Sequence, residues 1–274
     1  MPASSPVAPS RTGLAPVNGL QIYFEIRGTG EPLVLLHGGL GAVEMFGPTL
    51  DALAAHRQVI GIDLQGHGHT ALGDRPMSLE AMADDVDGVL AYLKIPTADV
   101  MGYSMGGAVA LQTAIRHPAR VRKLVAVSVP IKRTGWYPEI QQGMGMVSAA
   151  AAEPMKHTPM YELYARIAPR VEDWPVLLDR MGQMMGADYD WSADAAKLPM
   201  PVMIVIGDAD AVMPAAALEL FGLLGGARRD AGWDGAGRPA SQLAILPGRT
   251  HYDIFVAPAL VATVLPFLDA PAAK

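Results

Sequence analysis

Along most of the chain, short runs of apolar residues alternate with longer stretches in which apolar residues recur at helical spacing. The short runs predict strands, and the longer stretches predict helices that pack one face on a core. Predicted strands cover residues 33–36, 59–62, 98–102, 124–129, 202–206 and 243–246, and predicted helices cover residues 43–55, 79–93, 105–117, 215–224 and 258–268. Strands and helices that alternate in this way are typical of a parallel sheet covered on both faces, so we predict the α/β class.

Two regions depart from this alternation. Before the first parallel strand, Asn18-Gly19 precedes an alternating strand over residues 20–26, which is a hairpin signal. The prolines ahead of it oppose a helix, and no continuous apolar run or basic leader is present, so we interpret residues 1–14 as a disordered tail. Residues 131–199 contain no strand of similar quality, several prolines and apolar residues at helical spacing. We interpret them as a helical cap or lid inserted into one core made of residues 15–130 and 200–274.

The segment from Val100 to Gly107 places Ser104 between two glycines where an apolar strand gives way to a helix. Gly-x-Ser-x-Gly at such a junction indicates a nucleophile elbow, in which the serine adopts a strained backbone conformation and glycines leave room that a Cβ would fill. Ser104 is therefore the candidate nucleophile. The alternative interpretation is an ordinary serine cap at a helix start.

Other reactive residues also follow predicted strands, where ligands bind in open parallel sheets. A serine hydroxyl needs a base to take its proton and a carboxylate to orient that base. His251 is the candidate base and Asp210 the candidate acid, and the order Ser, Asp, His along the chain is that of α/β-hydrolases. Asp208 is the rival acid, and we prefer Asp210 because there the chain has cleared the strand. The alternatives are a cap or surface histidine and a turn-forming aspartate.

Acyl transfer also needs N–H donors for an oxyanion. We expect these donors to be the backbone amides of Gly39, in the His37-Gly38-Gly39 turn, and of Met105, at the start of the elbow helix. Contacts with the substrate are assigned to Leu40, Tyr103 and Met144. Met144 is one of several methionines in the predicted lid, which we expect to serve as packing groups and as an adaptable apolar pocket.

These motifs resemble those of the α/β-hydrolase fold superfamily, specifically its lid-bearing members, over residues 17–268. The segment from Asp63 to Thr70 is similar to the Asp-x-x-Gly-x-Gly-x-Ser/Thr loop that such enzymes carry after their second parallel strand. The resemblance implies a mostly parallel eight-stranded sheet with helices on both faces and a helical lid. It also makes the His67-Gly68-His69 stretch a structural turn, although two imidazoles two positions apart could share a metal ion. We expect no metal and no cofactor.

Composition narrows the partners of the protein. The 274 residues are 51% hydrophobic and 18% charged, which is typical of a globular chain. A net charge of -6 without a long basic run argues against nucleic acid, and no apolar run is long enough to cross a membrane. The absence of cysteine excludes a disulfide and a thiolate nucleophile, and it fits the reducing cytoplasm. The sequence leaves a homodimer open and implies a small-molecule ester as partner.

The resemblance implies a carboxylesterase that acts on small to medium apolar acyl groups through an acyl-enzyme. Relatives that cleave carbon–halogen bonds or epoxides carry Asp at the elbow, and proline iminopeptidases carry Pro and Trp where this chain has Leu40 and Tyr103. A carbon–carbon bond hydrolase remains an alternative because Arg133, Arg166 and Arg170 in the lid could bind a substrate carboxylate. A lactonase, a cofactor-free haloperoxidase or perhydrolase, and a ligand-binding receptor without turnover also remain.

Overall fold

The centre of the protein is an eight-stranded sheet. The computed structural model describes residues 9–271. The strands are β1 (Arg11–Val17), β2 (Leu20–Arg27), β3 (Pro32–Leu36), β4 (Gln58–Ile62), β5 (Ala98–Tyr103), β6 (Val121–Val127), β7 (Val202–Ala209) and β8 (Gln242–Thr250). Their order in the sheet is β1-β2-β4-β3-β5-β6-β7-β8. The pairs β1/β2 and β2/β4 are antiparallel, and the strands from β4 to β8 are parallel, so the predicted α/β class with a mostly parallel sheet is confirmed.

Helices cover both faces of this sheet. They are α1 (Pro48–Ala54), α2 (Leu79–Tyr92), α3 (Met105–Arg116), α4 (Pro138–Met146), α5 (Pro159–Ile167), α6 (Trp174–Gly186), α7 (Ser192–Ala195), α8 (Pro214–Leu223) and α9 (Pro258–Asp269). Buried side chains of α2, α3 and α8 form one apolar layer with the sheet, and those of α1 and α9 form a second layer. The strands between the layers are nearly continuous apolar runs because both of their faces are buried.

The hairpin signal is confirmed, but the predicted tail is too long. Asn18 and Gly19 both have positive φ, as a two-residue hairpin turn requires, and the turn joins β1 to β2. Because β1 begins at Arg11, the expectation of disorder is wrong for residues 11–14, while residues 1–8 lie outside the described residues. The strand was missed because it lies at the edge of the sheet. An edge strand pairs on one side only and so tolerates Pro16, and most side chains of β1 face solvent.

The segment between β6 and β7 is helical, as predicted. It contains α4, α5, α6 and α7 together with short 3-10 turns. Helix α6 supplies more of its buried apolar residues than any other helix of the segment, including Trp174 and Leu177, whereas α4 has no buried residue. Contacts with the core include the guanidinium of Arg180, which donates to the carbonyl of Gly73 at 2.7 Å. We refer to residues 131–199 as the helical insertion.

Elsewhere the boundaries shift by a few residues. The helix predicted over residues 43–55 is divided into a 3-10 turn, Val43–Phe46, and α1, because Gly47 between them has a φ of 46°. The stretch over residues 225–239 contains no helix or strand and is mostly exposed. Within residues 9–271, no helix combines the length and the apolar character that a membrane span needs.

Candidate active site

The predicted reactive residues meet at one edge of the sheet. Ser104 follows β5, Asp210 follows β7 and His251 follows β8, while Gly39 lies in the turn after β3. Parallel strands present their carboxyl ends at the same edge, so residues far apart in the chain are brought together there. We call this edge the strand-end rim.

The turn that carries Ser104 has the geometry expected of an elbow. Ser104 adopts φ 54° and ψ −118°, outside the regions that non-glycine residues favour. The two flanking glycines allow the strand and helix to approach closely. A Cβ on Gly102 would overlap the carbonyl oxygen of Gly106, and one on Gly106 would overlap the carbonyl oxygens of Leu36 and His37. Side chains are therefore excluded at both positions by backbone atoms that cannot move aside.

A chain of hydrogen bonds joins the three predicted residues. Nε2 of His251 lies 3.0 Å from Oγ of Ser104, and Nδ1 of His251 lies 2.8 Å from Oδ1 of Asp210. Asp210 and His251 are 7% and 8% exposed, and Ser104 is half-buried and open to a cavity. With Asp210 ionised, Nδ1 of His251 carries the proton that it donates, so Nε2 has a free lone pair toward the serine hydroxyl. This arrangement can remove a proton from Ser104.

Four donors orient the carboxylate of Asp210. One oxygen accepts from His251 and, at 3.2 Å, from the amide of Val212. The other accepts from the Ser128 hydroxyl at 2.5 Å and from the amide of Gly207 at 3.0 Å. Burial acts to raise the pKa of Asp210, but the hydrogen bonds from His251, Ser128 and Gly207 and the electrostatic interaction with His251 hold that pKa below its usual value. Asp210 therefore remains an anion beside the base.

Ser128 is a residue that the sequence analysis missed. It is fully buried at the end of β6, and its φ of 53° is unusual for a residue other than glycine. The predicted strand over residues 124–129 included Ser128, whereas β6 ends at Val127 in the structure, so no signal in the sequence indicated that Ser128 follows a strand. Asp208, the rival acid, is exposed, and among the residues that the structure describes it accepts one weak bond of 3.3 Å, from the amide of Arg249. The structure therefore places Asp210, and not Asp208, beside the imidazole.

The two predicted oxyanion donors lie beside Ser104 on the same cavity. Met105 is the first residue of α3, so its amide is one of the N-terminal donors that a helix cannot satisfy internally. A Cβ built on Gly39 would lie 3.9 Å from the Cβ of Met105, so the two backbones are close. Both residues therefore lie beside Ser104, where donors to an oxyanion would have to be.

His37 holds the turn that contains Gly39. Its Nδ1 lies 2.8 Å from the carbonyl oxygen of Gly38, and its Nε2 accepts from the amide of Leu64 at 3.0 Å. Burial lowers the pKa of His37, so the ring is neutral and both of its nitrogens are committed to backbone groups. His37 therefore stabilises the turn.

The loop after β4 is organised around Asp63. Its carboxylate accepts from the amide of Val43 at 2.9 Å and from both the amide and Nδ1 of His69, each at 2.9 Å. A Cβ on Gly68 would overlap this carboxylate.

The two histidines that could have shared a metal ion, His67 and His69, have separate partners. Nδ1 of His69 bonds to Asp63, whereas Nδ1 of His67 lies 2.8 Å from the carbonyl oxygen of Gln65. Among the residues from 9 to 271, no three His, Asp or Glu side chains are grouped so that they could hold a metal ion.

The serine opens on a cavity of about 540 Å³ between the strand-end rim and the helical insertion. Leu40, Tyr103 and Met144, the predicted substrate contacts, all line it. Seven methionines also line it: Met45, Met105, Met144, Met160, Met181, Met184 and Met185. Its lining residues include no Lys, Arg, Asp or Glu. The cavity therefore offers a ligand a mostly apolar surface that is rich in thioether groups next to the serine.

Tyr103 has a second role beyond lining the cavity. Its hydroxyl donates to the backbone carbonyl of His251 at 2.6 Å, and its ring lies 5.2 Å from the imidazole, measured between ring centres. The residue that precedes the serine thus anchors the loop that carries His251. Any effect of substituting Tyr103 will combine substrate contact with the position of His251.

The arginines that could have bound a substrate carboxylate are engaged elsewhere. Arg166 pairs with Glu44 at 2.7 Å, and Arg170 pairs with the neighbouring Glu172 and Asp173. Arg133 donates to backbone carbonyls of the insertion. None of the three arginines lines the cavity.

Comparison with known proteins agrees with this geometry. A model of the alpha/beta hydrolase fold family matches residues 31–149. The chain is 32% identical over 200 residues to the pimeloyl-acyl-carrier-protein methyl ester esterase of Neisseria meningitidis serogroup C, which covers 66% of this chain and 75% of that protein. It is 38% identical over 122 residues to the 2-hydroxymuconate semialdehyde hydrolase of Pseudomonas sp. strain CF600, covering 41% of this chain and 43% of that protein. The chain belongs to the alpha/beta hydrolase fold family.

Solved structures show the same fold over nearly the whole chain. An esterase from Thermogutta terrifontis superposes with a TM-score of 0.70 at 22% identity, covering 94% of this chain and 97% of that one. Several sequence relatives match more locally, and the chain spans between 29% and 46% of their length. These matches identify the family of the chain, and its substrate has to be inferred from the candidate active site.

Proposed function

We propose that this protein is a serine hydrolase that cleaves carboxylic esters with small to medium apolar acyl groups through an acyl-enzyme. The observation that supports it most strongly is the hydrogen-bonded chain from Ser104 through His251 to Asp210, open to an apolar cavity. Similarity to the Neisseria esterase is consistent with this activity.

In the first half of the reaction, Ser104 Oγ attacks the ester carbonyl carbon while its proton moves to Nε2 of His251. The carbonyl oxygen becomes an oxyanion, which the amides of Gly39 and Met105 stabilise. Asp210 keeps the other imidazole proton on Nδ1 and stabilises the imidazolium. When the tetrahedral intermediate collapses, the bond to the alcohol oxygen breaks, and the alcohol leaves with the proton from His251.

In the second half, a water molecule takes the place of the alcohol. His251 accepts one of its protons while the water oxygen attacks the acyl carbon bound to Ser104. A second oxyanion forms at the same two amides. Its collapse breaks the bond to Oγ of Ser104, which recovers the proton, and the carboxylic acid leaves. The same residues act in both halves, so no cofactor is required.

The lining of the cavity selects the substrate class. An apolar acyl group gains free energy when it leaves water for this surface, whereas an isolated carboxylate would lose its hydration without a cation to replace it. Diketone acids, the substrates we associate with the carbon–carbon hydrolase alternative, therefore fit this cavity poorly. Neutral esters fit it well.

The test compares initial rates on p-nitrophenyl esters from acetate to dodecanoate for the wild type and Ser104→Ala. We expect hydrolysis with a maximum at a short or medium chain length and a loss of roughly 10⁴-fold or more in the variant. Ser10→Ala, which removes a hydroxyl beside the edge strand β1, serves as the matched control. Mass spectrometry after treatment with an alkyl phosphonate should show one adduct, located on Ser104. Equal rates for the wild type and Ser104→Ala would reject the serine mechanism.

A further inference from the structure

Besides Ser104 and His251, four side chains that line the cavity carry a polar N–H or O–H group, and two of these donors are already engaged. The hydroxyl of Tyr103 donates to the backbone of His251, and the indole Nε1 of Trp136 donates to the hydroxyl of Tyr189 at 2.8 Å. Tyr252 is 71% exposed, so its hydroxyl is available to water. Tyr189 differs from these residues and was not identified from the sequence.

The hydroxyl of Tyr189 is an acceptor in its only hydrogen bond within residues 9–271, so its own proton has no partner there. Burial raises the pKa of Tyr189 to about 12, so the phenol remains protonated near neutral pH. An O–H group that is protonated, half-buried and directed by one fixed neighbour is ready to donate to a ligand. An unmatched donor of this kind is costly to bury unless something pairs with it.

Tyr189 is also held firmly in place. Its backbone carbonyl accepts from the amide of Arg133 at 3.0 Å, and its ring stacks on Trp191 with ring centres 4.4 Å apart. Trp136, which fixes its hydroxyl, packs edge-on against the imidazole of His251 at 5.5 Å. The donor is thus preorganised and separated from the base by a single side chain. Preorganised polar groups in a mostly apolar pocket are those that determine ligand orientation.

We propose that the Tyr189 hydroxyl donates a hydrogen bond to a second oxygen of the substrate, so that the preferred substrates are neutral esters carrying an additional carbonyl or ether oxygen. This inference rests on the proposed function. A neutral carbonyl or ether oxygen can accept from a single O–H donor. A charged carboxylate would in addition need a cation, and the lining residues supply no Lys or Arg. Tyr189 is therefore a specificity-determining residue contributed by the helical insertion.

The experiment measures kcat/KM for p-nitrophenyl hexanoate and its 3-, 4- and 5-oxo derivatives, and for hexyl butyrate and its oxohexyl counterparts. For at least one carbonyl position, we expect Tyr189→Phe to lower the ratio of oxo ester to plain ester about tenfold, since one buried hydrogen bond is lost. Tyr164→Phe is the matched control. It removes another hydroxyl of the insertion, which bonds to the carbonyl of Arg170 away from the cavity, and should leave the ratio at its wild-type value.

A binding measurement separates this proposal from the esterase reaction. Calorimetry with Ser104→Ala should show tighter binding of the preferred oxo ester than of the plain ester, and adding Tyr189→Phe should abolish the difference. If binding of the oxo ester depends on Tyr189 but the wild type does not hydrolyse any of the esters, the esterase function is rejected and the Tyr189 contact is retained. If Tyr189→Phe changes both esters equally, or changes neither at any carbonyl position, the contact is rejected while the esterase function can stand.

Discussion

The strand-end rim and the helical insertion face each other across one cavity, yet they are built differently. At the rim, side chains are fixed by buried hydrogen bonds and by backbone contacts, as at Asp210 with its four donors and at Gly106 against β3. In the insertion, α4 buries no residue, and the cavity wall is made mainly of methionines. Tyr189 is an exception, because it is held as firmly as the rim residues.

This difference separates two requirements of the proposed reaction. Proton transfer and attack need atoms held to within a fraction of an ångström, which a close-packed sheet edge can provide. Acceptance of an acyl chain needs volume and a surface that can adjust, which flexible thioethers provide at little cost. Substitutions at the rim should therefore change the rate for all substrates, whereas those in the insertion should change which substrate is preferred.

After the candidate nucleophile itself, the largest effect is expected at Asp210, the proposed acid. Asp210→Asn should lower kcat on p-nitrophenyl butyrate by about 10⁴-fold, because the amide no longer keeps the imidazole proton on Nδ1. Asp208→Asn is the matched control and should change kcat by less than about twofold, since Asp208 is exposed and makes one weak bond. A greater loss in Asp208→Asn than in Asp210→Asn would reassign the acid.

A smaller effect is expected at Ser128. Ser128→Ala removes one donor to Asp210 and should lower kcat roughly tenfold, because the carboxylate loses part of its orientation. Ser128→Gly removes the same hydroxyl, and glycine adopts the positive φ at this position without strain. It should therefore have the same kcat as Ser128→Ala and a higher free energy of unfolding than that variant. Wild-type kcat in both variants would show that the other donors hold Asp210 sufficiently.

The walls of the insertion should respond through selectivity. Replacing Met184 and Met185 together by Leu should change kcat on the best ester by only about two- to threefold and shift or narrow the chain-length profile, because the volume is retained and the flexibility is lost. Met200→Leu, outside the cavity, should leave the profile unchanged. An equal decrease in kcat at every chain length would mean that Met184 and Met185 help to position the residues of the strand-end rim.

The smallest effect concerns stability at the loop after β4. A hydrogen bond to Asp63 raises the pKa of His69, so this pair stabilises the fold fully below the unfolded histidine pKa of about 6.5 and loses its contribution as pH rises through the folded value. His69→Gln should therefore lower the free energy of unfolding by up to about 1 kcal/mol at pH 5.5 and by less at pH 9. Urea denaturation of both proteins at the two pH values measures this, and a difference that grows with pH would contradict the assignment.

Much of the strand-end rim could be predicted from the sequence, because each element carries its own local signal. The elbow around Ser104, the glycines after β3 and the histidine after β8 are short motifs beside apolar runs, and the known edge of a parallel sheet brings such motifs together. The edge strand β1 lacked that signal. The hydrophobic pattern of β1 is weak because most of its side chains are exposed to solvent. The strand is recognised only by its pairing with β2.

By itself, the sequence determined the class of fold, the candidate nucleophile and the residues that could serve it, because these depend on local periodicity and on motifs with one chemical use. Only the tertiary structure decided between Asp208 and Asp210, since both carboxylates follow the same strand and the choice depends on which one turns toward an imidazole 41 positions away along the chain. It also revealed Ser128 and Tyr189, whose partners lie 82 and 53 positions away. No local pattern encodes such contacts, because they arise when separate elements pack together.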